Sequence, residues 1–499
     1  MCAALLAVAP LAATAQLSLP TLGDSAREDL TPAFERKLGE EIMRDIRRDH
    51  DFLDDDAILE YLNNFGSALV AAYPGARGET GADFYFFAVR DPMLNAFALP
   101  GGFVGVHSAL LIAAQNESEL ASVLSHEIGH VTQRHIARGI GQQKQDALMP
   151  LAAMVLAALA SKAGPDAAIG VFMGGQGLAI QRQLNFSRDA EREADRVGFQ
   201  IMGAAGFDTS GMVAFFQRLQ AATKVYSDLT PPWLMSHPLT SERISDIQAR
   251  IREMPYRQRI DGLEFQLVRS RARVLQDESA QGLIDAQAVF ENQMKQQNRQ
   301  QQAAAQYGLA LVALKRNDPP KAADWLAKAR ATMKPVSGAV FSTGQAASDA
   351  APMFEAMALD IKLAPGQPTA AALKEAELAH QQYPLSRGIA RQYAQALIGD
   401  GKLDAAAQYL REQTRLYREE PKLYDLLAKT YAAQGKLTLQ HIALAESYVL
   451  SGAVPAAVDQ LGIARKAPDA SFYDLALIDA RERELQTRVR EEKKEKKER

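Results

Sequence analysis

Cysteine is nearly absent. Cys2 is the only one in 499 residues, which excludes an intrachain disulfide and a cysteine-held metal cluster. An excess of basic residues is also missing: 56 Lys and Arg stand against 60 Asp and Glu, for a net charge of −4. Phosphate binding needs a concentrated cationic surplus, so nucleic acid is excluded as a main partner. Long apolar runs are lacking too. The segments 1–15, Leu148–Leu159 and Ala167–Ile180 all fall short of the roughly 20 residues that cross a bilayer as a helix. Membrane contact is therefore peripheral at most. With 47% hydrophobic and 23% charged residues, the chain has the balance of a globular protein, which excludes disorder and a fibrous repeat.

The first segment, MCAALLAVAPLAATA, ends in Ala13-Thr14-Ala15, the small-x-small pattern of a signal-peptidase site. No Lys or Arg precedes the apolar run, which points to an internal start with a basic region upstream. Residues 1–15 are thus expected to be a signal peptide, directing export to a bacterial periplasm. Cleavage after Ala15 would remove the one cysteine.

Asp55 is placed to cap a helix over AILEYLNNFGSALV. Asp83–Val89 and Gly102–His107 read as strands, separated by the Pro100-Gly101-Gly102 turn. Asn95–Leu99 between them reads as a short extended segment at most. Asn116 and Glu119 have capping-box spacing and open a helix expected to run to about Arg138. The apolar insert between Leu148 and Ile180 reads either as a mobile flap over a cleft or as a buried helical hairpin. Beyond about 265 the composition turns to Ala, Gln, Leu and Lys. Gly401-Lys402-Leu403 and Gly435-Lys436-Leu437 are 34 residues apart, the period of tetratricopeptide repeats. Further copies register on Asn317 and Gly452. Small residues recur at Ala394, Ala406, Ala445 and Ala457, where two helices of a hairpin approach closely. The tail from 481 is a charge run expected to be disordered.

The chemistry is concentrated in His126-Glu127-Ile128-Gly129-His130. Residues four apart on a helix lie about 40° apart around the axis and ~6 Å along it. Two imidazoles at that spacing hold one zinc ion, and Glu127 stands beside them to handle the proton of a water. A third ligand is required. The metzincin pattern needs glycine at 133 and histidine at 136, where the chain has Gln133 and Ile136. His135 faces away on a continuous helix. No Glu occurs between Glu127 and the cluster Glu191, Glu193 and Asp195. Glu191 and Asp195 share a helix face, while Glu193 points roughly the opposite way. Glu191 is the simplest third ligand, and Asp195, one turn on, can accept the free N–H of a ligating imidazole.

HEIGH followed after a long insert by SRDAEREAD resembles the gluzincin peptidases, the family of HtpX and the CAAX prenyl endopeptidase. Asn95-Ala96-Phe97-Ala98 with Pro100-Gly101-Gly102, and His237-Pro238 followed by Arg243, resemble two further motifs of that family. With an export signal and repeats added, the architecture resembles the periplasmic members that serve outer-membrane β-barrel assembly. The resemblance implies a mainly α fold: a gluzincin zinc-peptidase domain, helices with a small β-sheet, over 16–265, followed by an α-solenoid of tetratricopeptide repeats over 266–480. It implies one zinc per chain on His126, His130 and Glu191, with Glu127 as general base and then acid. Asn95, Ala96, Phe97 and Ala98 would offer a strand edge to an extended substrate. His237 would either donate to the oxyanion of the tetrahedral intermediate or fill the fourth zinc position at rest. Arg243 would support the site by charge. His107, His135, His50, His380 and His441 have no role in this reading.

Two functions follow. One is a zinc endopeptidase of the periplasm that cleaves misfolded or stalled envelope proteins, with the repeats recruiting unfolded outer-membrane proteins and the β-barrel assembly machinery. The other is a chaperone or scaffold for β-barrel assembly whose proteolysis is minor or conditional.

Overall fold

In the computed structural model, the residues described are 31–78, 80–141, 188–225, 233–234, 237–254, 257, 259–296, 298–334 and 351–498. The expected signal segment 1–15 and the apolar insert 148–180 lie outside them.

Two N-terminal helices, α1 (Pro32–Arg48) and α2 (Asp56–Ala72), lead into the sheet. Asp55 caps α2 as its position predicts, accepting a hydrogen bond from the Ile58 N–H at 3.1 Å. The strands β1 (Tyr85–Val89), β2 (Ala96–Leu99) and β3 (Phe103–His107) lie in the order β1-β3-β2. β1 pairs parallel to β3, Tyr85 opposite Phe103, and β2 pairs antiparallel, Ala96 opposite Val106 and Leu99 opposite Phe103. Residues Ala96–Leu99 of the short extended segment thus form a strand, paired along their whole length with β3. Alternation across the pleat sends Phe87 and Val89 to one face, against Ile42, Met43 and Ile46 of α1. Phe86 and Ala88 go to the other, against Ile58, Leu62 and Leu69 of α2. Each large side chain buried in this way contributes about 1.5–3 kcal/mol.

From β3 the chain enters α3 (Ser108–Ala113), α4 (Glu117–Thr132) and α5 (His135–Gly141). It continues in α6 (Arg188–Ala204), α7 (Ser210–Val225) and α8 (Ser241–Glu253). Asn116 caps α4 by accepting from Glu119 N–H at 2.8 Å, and Glu119 answers by accepting from Gln115 N–H at 2.9 Å. The single helix expected to reach Arg138 is broken. Arg134 takes a left-handed conformation, φ 52°, and its Nε donates to Glu35 of α1 at 2.9 Å. A long-range ion pair therefore overrides the local helical pattern.

α4 and α6 cross at two glycines. A Cβ on Gly129 would lie 2.9 Å from the Ala194 carbonyl oxygen, and one on Gly198 would lie 3.0 Å from the His126 backbone nitrogen. The backbones touch because neither residue has a side chain there.

The remainder is helical: α9 (Leu263–Gln276), α10 (Ala280–Gln293), α11 (Arg299–Lys315), α12 (Pro319–Met333), α13 (Ala351–Lys362) and α14 (Thr369–Gln382). Then follow α15 (Arg387–Gly399), α16 (Leu403–Leu416), α17 (Pro421–Ala433), α18 (Leu437–Leu450), α19 (Val454–Arg465) and α20 (Phe472–Glu498). Successive helices from α14 to α20 pack on their chain neighbours, as a solenoid of helical hairpins does. The four residues on which the repeats register all sit in turns with left-handed φ: Asn317 58°, Gly401 74°, Gly435 72° and Gly452 74°. Gly452 follows Gly435 by only 17 residues and closes the turn from α18 to α19, half a repeat out of step. Turns within and between repeats use the same left-handed cap, so the glycine pattern does not distinguish them.

The apolar core does not break near 265. Phe265, Leu267 and Val268 of α9 are buried in the same cluster as Leu110 of α3 and Tyr61 of α2, and the cluster continues to Phe354 and Ile361 of α13. A second link joins the start of α2 to the later hairpins. Glu60 accepts from Gly388 N–H at 2.7 Å, Lys422 pairs with Asp54 at 2.6 Å, and Arg391 pairs with Asp56. Arg271 of α9 binds both oxygens of Asp55, at 2.7 and 2.8 Å, and the Tyr307 hydroxyl at 3.2 Å.

The charged tail expected to be disordered instead continues α20 to Glu498. Ile478 and Leu485 anchor that helix by burial, and Glu, Lys and Arg are good helix formers that prolong it. Among the described residues, no helix is long and apolar enough to cross a membrane.

Candidate metal centre

α4 carries His126, Glu127 and His130, and α6 carries Glu191 and Asp195 across the glycine contact. His237 lies just before α8, its backbone N–H donating to the Trp233 carbonyl at 2.7 Å. His126, His130, Glu191 and His237 each offer one ligand atom, and these atoms all lie within 4.8 Å of one another. His126 Nε2 is 3.0 Å from His130 Nε2 and 3.4 Å from His237 Nδ1. Glu191 Oε1 is 2.9 Å from His237 Nδ1 and 3.4 Å from His130 Nε2. All four residues are at most 2% exposed. Three imidazoles and a carboxylate converging without solvent form a donor set suited to a four-coordinate divalent ion.

The neighbouring groups orient the set. His126 Nδ1 is 2.9 Å from Asp195 Oδ1. Arg243 reaches Asp195 with Nε at 2.6 Å and a terminal nitrogen at 2.8 Å, the Pro238 carbonyl at 2.9 Å, and Glu191 at 2.8 Å. Arg243 lies in the first turn of α8, which Thr240 caps. It thereby ties Glu191 and Asp195 of α6 to the segment that carries His237.

Burial alone would raise the pKa of Glu191, but His237, His126 and His130 hold it well below the usual carboxylate range. Burial likewise works against ionised Asp195, and the hydrogen bonds and charges of Arg243 and His126 together more than offset it. Both are carboxylates. Burial lowers the His130 pKa, and charge on His126 lowers it further, keeping that imidazole neutral.

Glu127 is fully buried. Trp233 Nε1 approaches its Oε1 at 3.4 Å and His237 Nε2 lies 3.6 Å from the same oxygen. Its Oε2 is buried with no hydrogen-bond partner. An unpaired buried carboxylate oxygen costs free energy, and a proton on a substrate or water beside the ligand set would satisfy it.

Asn95–Ala98 sits apart from the ligands but close to their helix. β2 packs against α4, and among the described residues it pairs only with β3. Its outer edge therefore retains backbone hydrogen-bonding groups.

Residues 68–251 match Peptidase family M48. The β-barrel assembly-enhancing protease of Escherichia coli K12 is 30% identical over 476 residues, covering 95% of this chain and 92% of that one. The chain belongs to peptidase family M48. It is thus a metallopeptidase by family, and the buried quartet is where an M48 metal ion would be held. The Yersinia pestis β-barrel assembly-enhancing protease is 31% identical over 473 residues, covering 94% of this chain and 91% of that one. A Vibrio cholerae relative is 37% identical over 317 residues, 63% of either chain, so the match spans less than two thirds of its length.

Three residues beside the ligands were not assigned roles from sequence. Trp233 carried no signal at all. A continuous helix would turn His135 away from the ligands, and Glu193 points away from Glu191 and Asp195 on α6. In the structure His135 is buried, with Nδ1 at 2.8 Å from His130 Nδ1 and Nε2 at 3.0 Å from Glu193 Oε2. Only the break at Arg134 brings it there.

Proposed function

We propose that this chain is a zinc-dependent endopeptidase of the bacterial periplasm that cleaves misfolded or stalled envelope proteins and assists outer-membrane protein assembly. The observation that carries the reading is the buried quartet of His126, His130, Glu191 and His237 beside the unpartnered oxygen of Glu127. His126, His130 and Glu191 would hold one zinc. When bound, zinc supplies a Lewis acid that polarises the scissile carbonyl and makes a water acidic near neutral pH. Glu127 accepts the proton of the attacking water on Oε2 and delivers it to the leaving amine, while Trp233 holds Oε1 in place. Asp195 and Arg243 orient the ligands rather than touch substrate. The free edge of β2 would align an extended chain by main-chain pairing.

His237 shares the ligand set through Nδ1. That supports a resting state in which it fills the fourth position, in preference to a standing role as oxyanion donor. A site so closed favours conditional proteolysis, with binding and assembly assistance as the other part of the work. The division into a peptidase unit over 16–265 and repeats over 266–480 belongs to this proposal. So does recruitment of clients and of the β-barrel assembly machinery by the repeats, which the similarity to the β-barrel assembly-enhancing proteases of Escherichia coli and Yersinia pestis supports.

The test is zinc content and casein cleavage in wild type, Glu127→Gln and His237→Ala. About one zinc per chain is expected, with cleavage reduced at least about a hundredfold in Glu127→Gln and increased in His237→Ala. Absence of zinc would refute the site. Zinc without cleavage in any form would leave the scaffold as the function.

A further inference from the structure

The two imidazoles on α4 are braced differently. His126 turns its Nδ1 to a carboxylate, Asp195, at 2.9 Å. His130 turns its Nδ1 to another imidazole, His135, at 2.8 Å, and the two rings lie 4.8 Å apart between centroids at 74°. On an unbroken helix, five residues of separation would put His135 about 140° around from His130. The left-handed Arg134, held to Glu35, stops α4 and restarts the chain so that His135 folds back under the motif.

Proton bookkeeping gives this contact a direction. Two imidazole nitrogens at 2.8 Å share one hydrogen. His130 presents Nε2 to the ligand set, so a metal bound there leaves the hydrogen on its Nδ1, and His135 Nδ1 must accept it. The hydrogen of a neutral His135 is then on Nε2, 3.0 Å from Glu193 Oε2, which accepts it. Glu193 is fixed in turn by Arg138 at 2.6 Å. These hydrogens are assigned by the hydrogen-bond network, and with His130 Nε2 kept for a metal only this assignment satisfies both the His130–His135 and the His135–Glu193 contacts. A ligating imidazole whose second nitrogen is engaged is fixed in tautomer and ring orientation.

We infer that His135, aimed by Glu193, is a positioning residue that fixes the tautomer and orientation of His130 and so sets metal affinity. The inference rests on the metal site of the preceding section.

The test is the zinc Kd, measured by competition with a chromophoric chelator, together with the melting temperature of each metal-free chain. His135→Ala should bind zinc about 10–100-fold more weakly. His135→Asn keeps an acceptor oxygen close to the Nδ1 position and should recover most of that loss. A residue that served only to fill space would not be rescued by the smaller, polar Asn. Glu193→Ala, at a side chain 26% exposed, removes the aim without opening the core, and should weaken binding several-fold even if His135→Ala does not fold. A Kd for His135→Ala or Glu193→Ala within twofold of wild type would overturn the inference, as would Asn behaving no better than Ala. Wild type that binds no zinc would overturn the metal site and this inference together, whereas wild-type binding with unaffected variants would overturn the inference alone.

Discussion

Gly129→Ala probes the crossing that assembles the site. The added methyl would lie 2.9 Å from the Ala194 carbonyl oxygen, against 3.4 Å for the onset of ordinary contact, so α4 and α6 must part by about 0.5 Å. Two energies oppose each other. Alanine favours the helix by about 1 kcal/mol over glycine, while overpacking a close contact costs about 1–3 kcal/mol. Net stability therefore falls by only about 1 kcal/mol, a melting shift of a few degrees. The effect on the site is larger. Glu191 is one turn from Ala194 on α6, and its partners His126 and His130 are on α4. Metal–ligand distances hold to within about 0.2 Å, so a 0.5 Å displacement of one ligand element should weaken zinc binding at least about tenfold. Chelator competition measures the first quantity and thermal melting of the metal-free chain the second. Wild-type zinc affinity in Gly129→Ala would refute the idea that backbone contact sets the ligand spacing.

Asp195→Asn removes the charge that His126 and Arg243 share. Zinc affinity should fall about 10–100-fold, read by the same competition. Arg271→Met leaves Asp55 partly buried without its cation, which should cost roughly 3 kcal/mol, seen as a lower urea midpoint. Its pH dependence is distinctive. Burial works to raise the Asp55 pKa, but Arg271 and the Ile58 N–H hold it below the ordinary aspartate value. The stabilisation is therefore present above about pH 4 and lost as pH falls through the depressed value. Arg271→Met should abolish that part of the acid sensitivity, and an unchanged acid limb would count against the pair.

The parts of the site that rest on helical spacing were legible in the sequence. His126, Glu127 and His130 lie on one helix, Glu191 and Asp195 share a face of another, and Asp55 and Asn116 cap where their positions predict. Sequence spacing failed where geometry depended on distant partners. Nothing near Arg134 announces a break, because the residue that stabilises its left-handed turn, Glu35, is 99 residues away. The position of His135, and with it the partner that Glu193 meets, was missed for that reason alone. The repeat period was visible, but its phase at Gly452 was not, since the same turn chemistry serves both kinds of junction. The links from Asp54, Asp55, Asp56 and Glu60 to α9 and to the later hairpins join residues more than 200 positions apart, which no local pattern encodes.

The continuous core has a mechanical consequence. α9 is seated on α3, which follows directly from β3, and Arg269 donates to the Ile112 carbonyl at 3.0 Å. The acidic start of α2 is gripped independently by α15 and α17. A load applied to the far hairpins by a held polypeptide would thus meet two attachment points rather than a swivel. Tension would pass through α9 and α2 into the framework beside α4 instead of being dissipated in a slack joint. The far hairpins are thus fixed at two places to the framework that carries α4, and a fragment ending at 265 would lose both attachments.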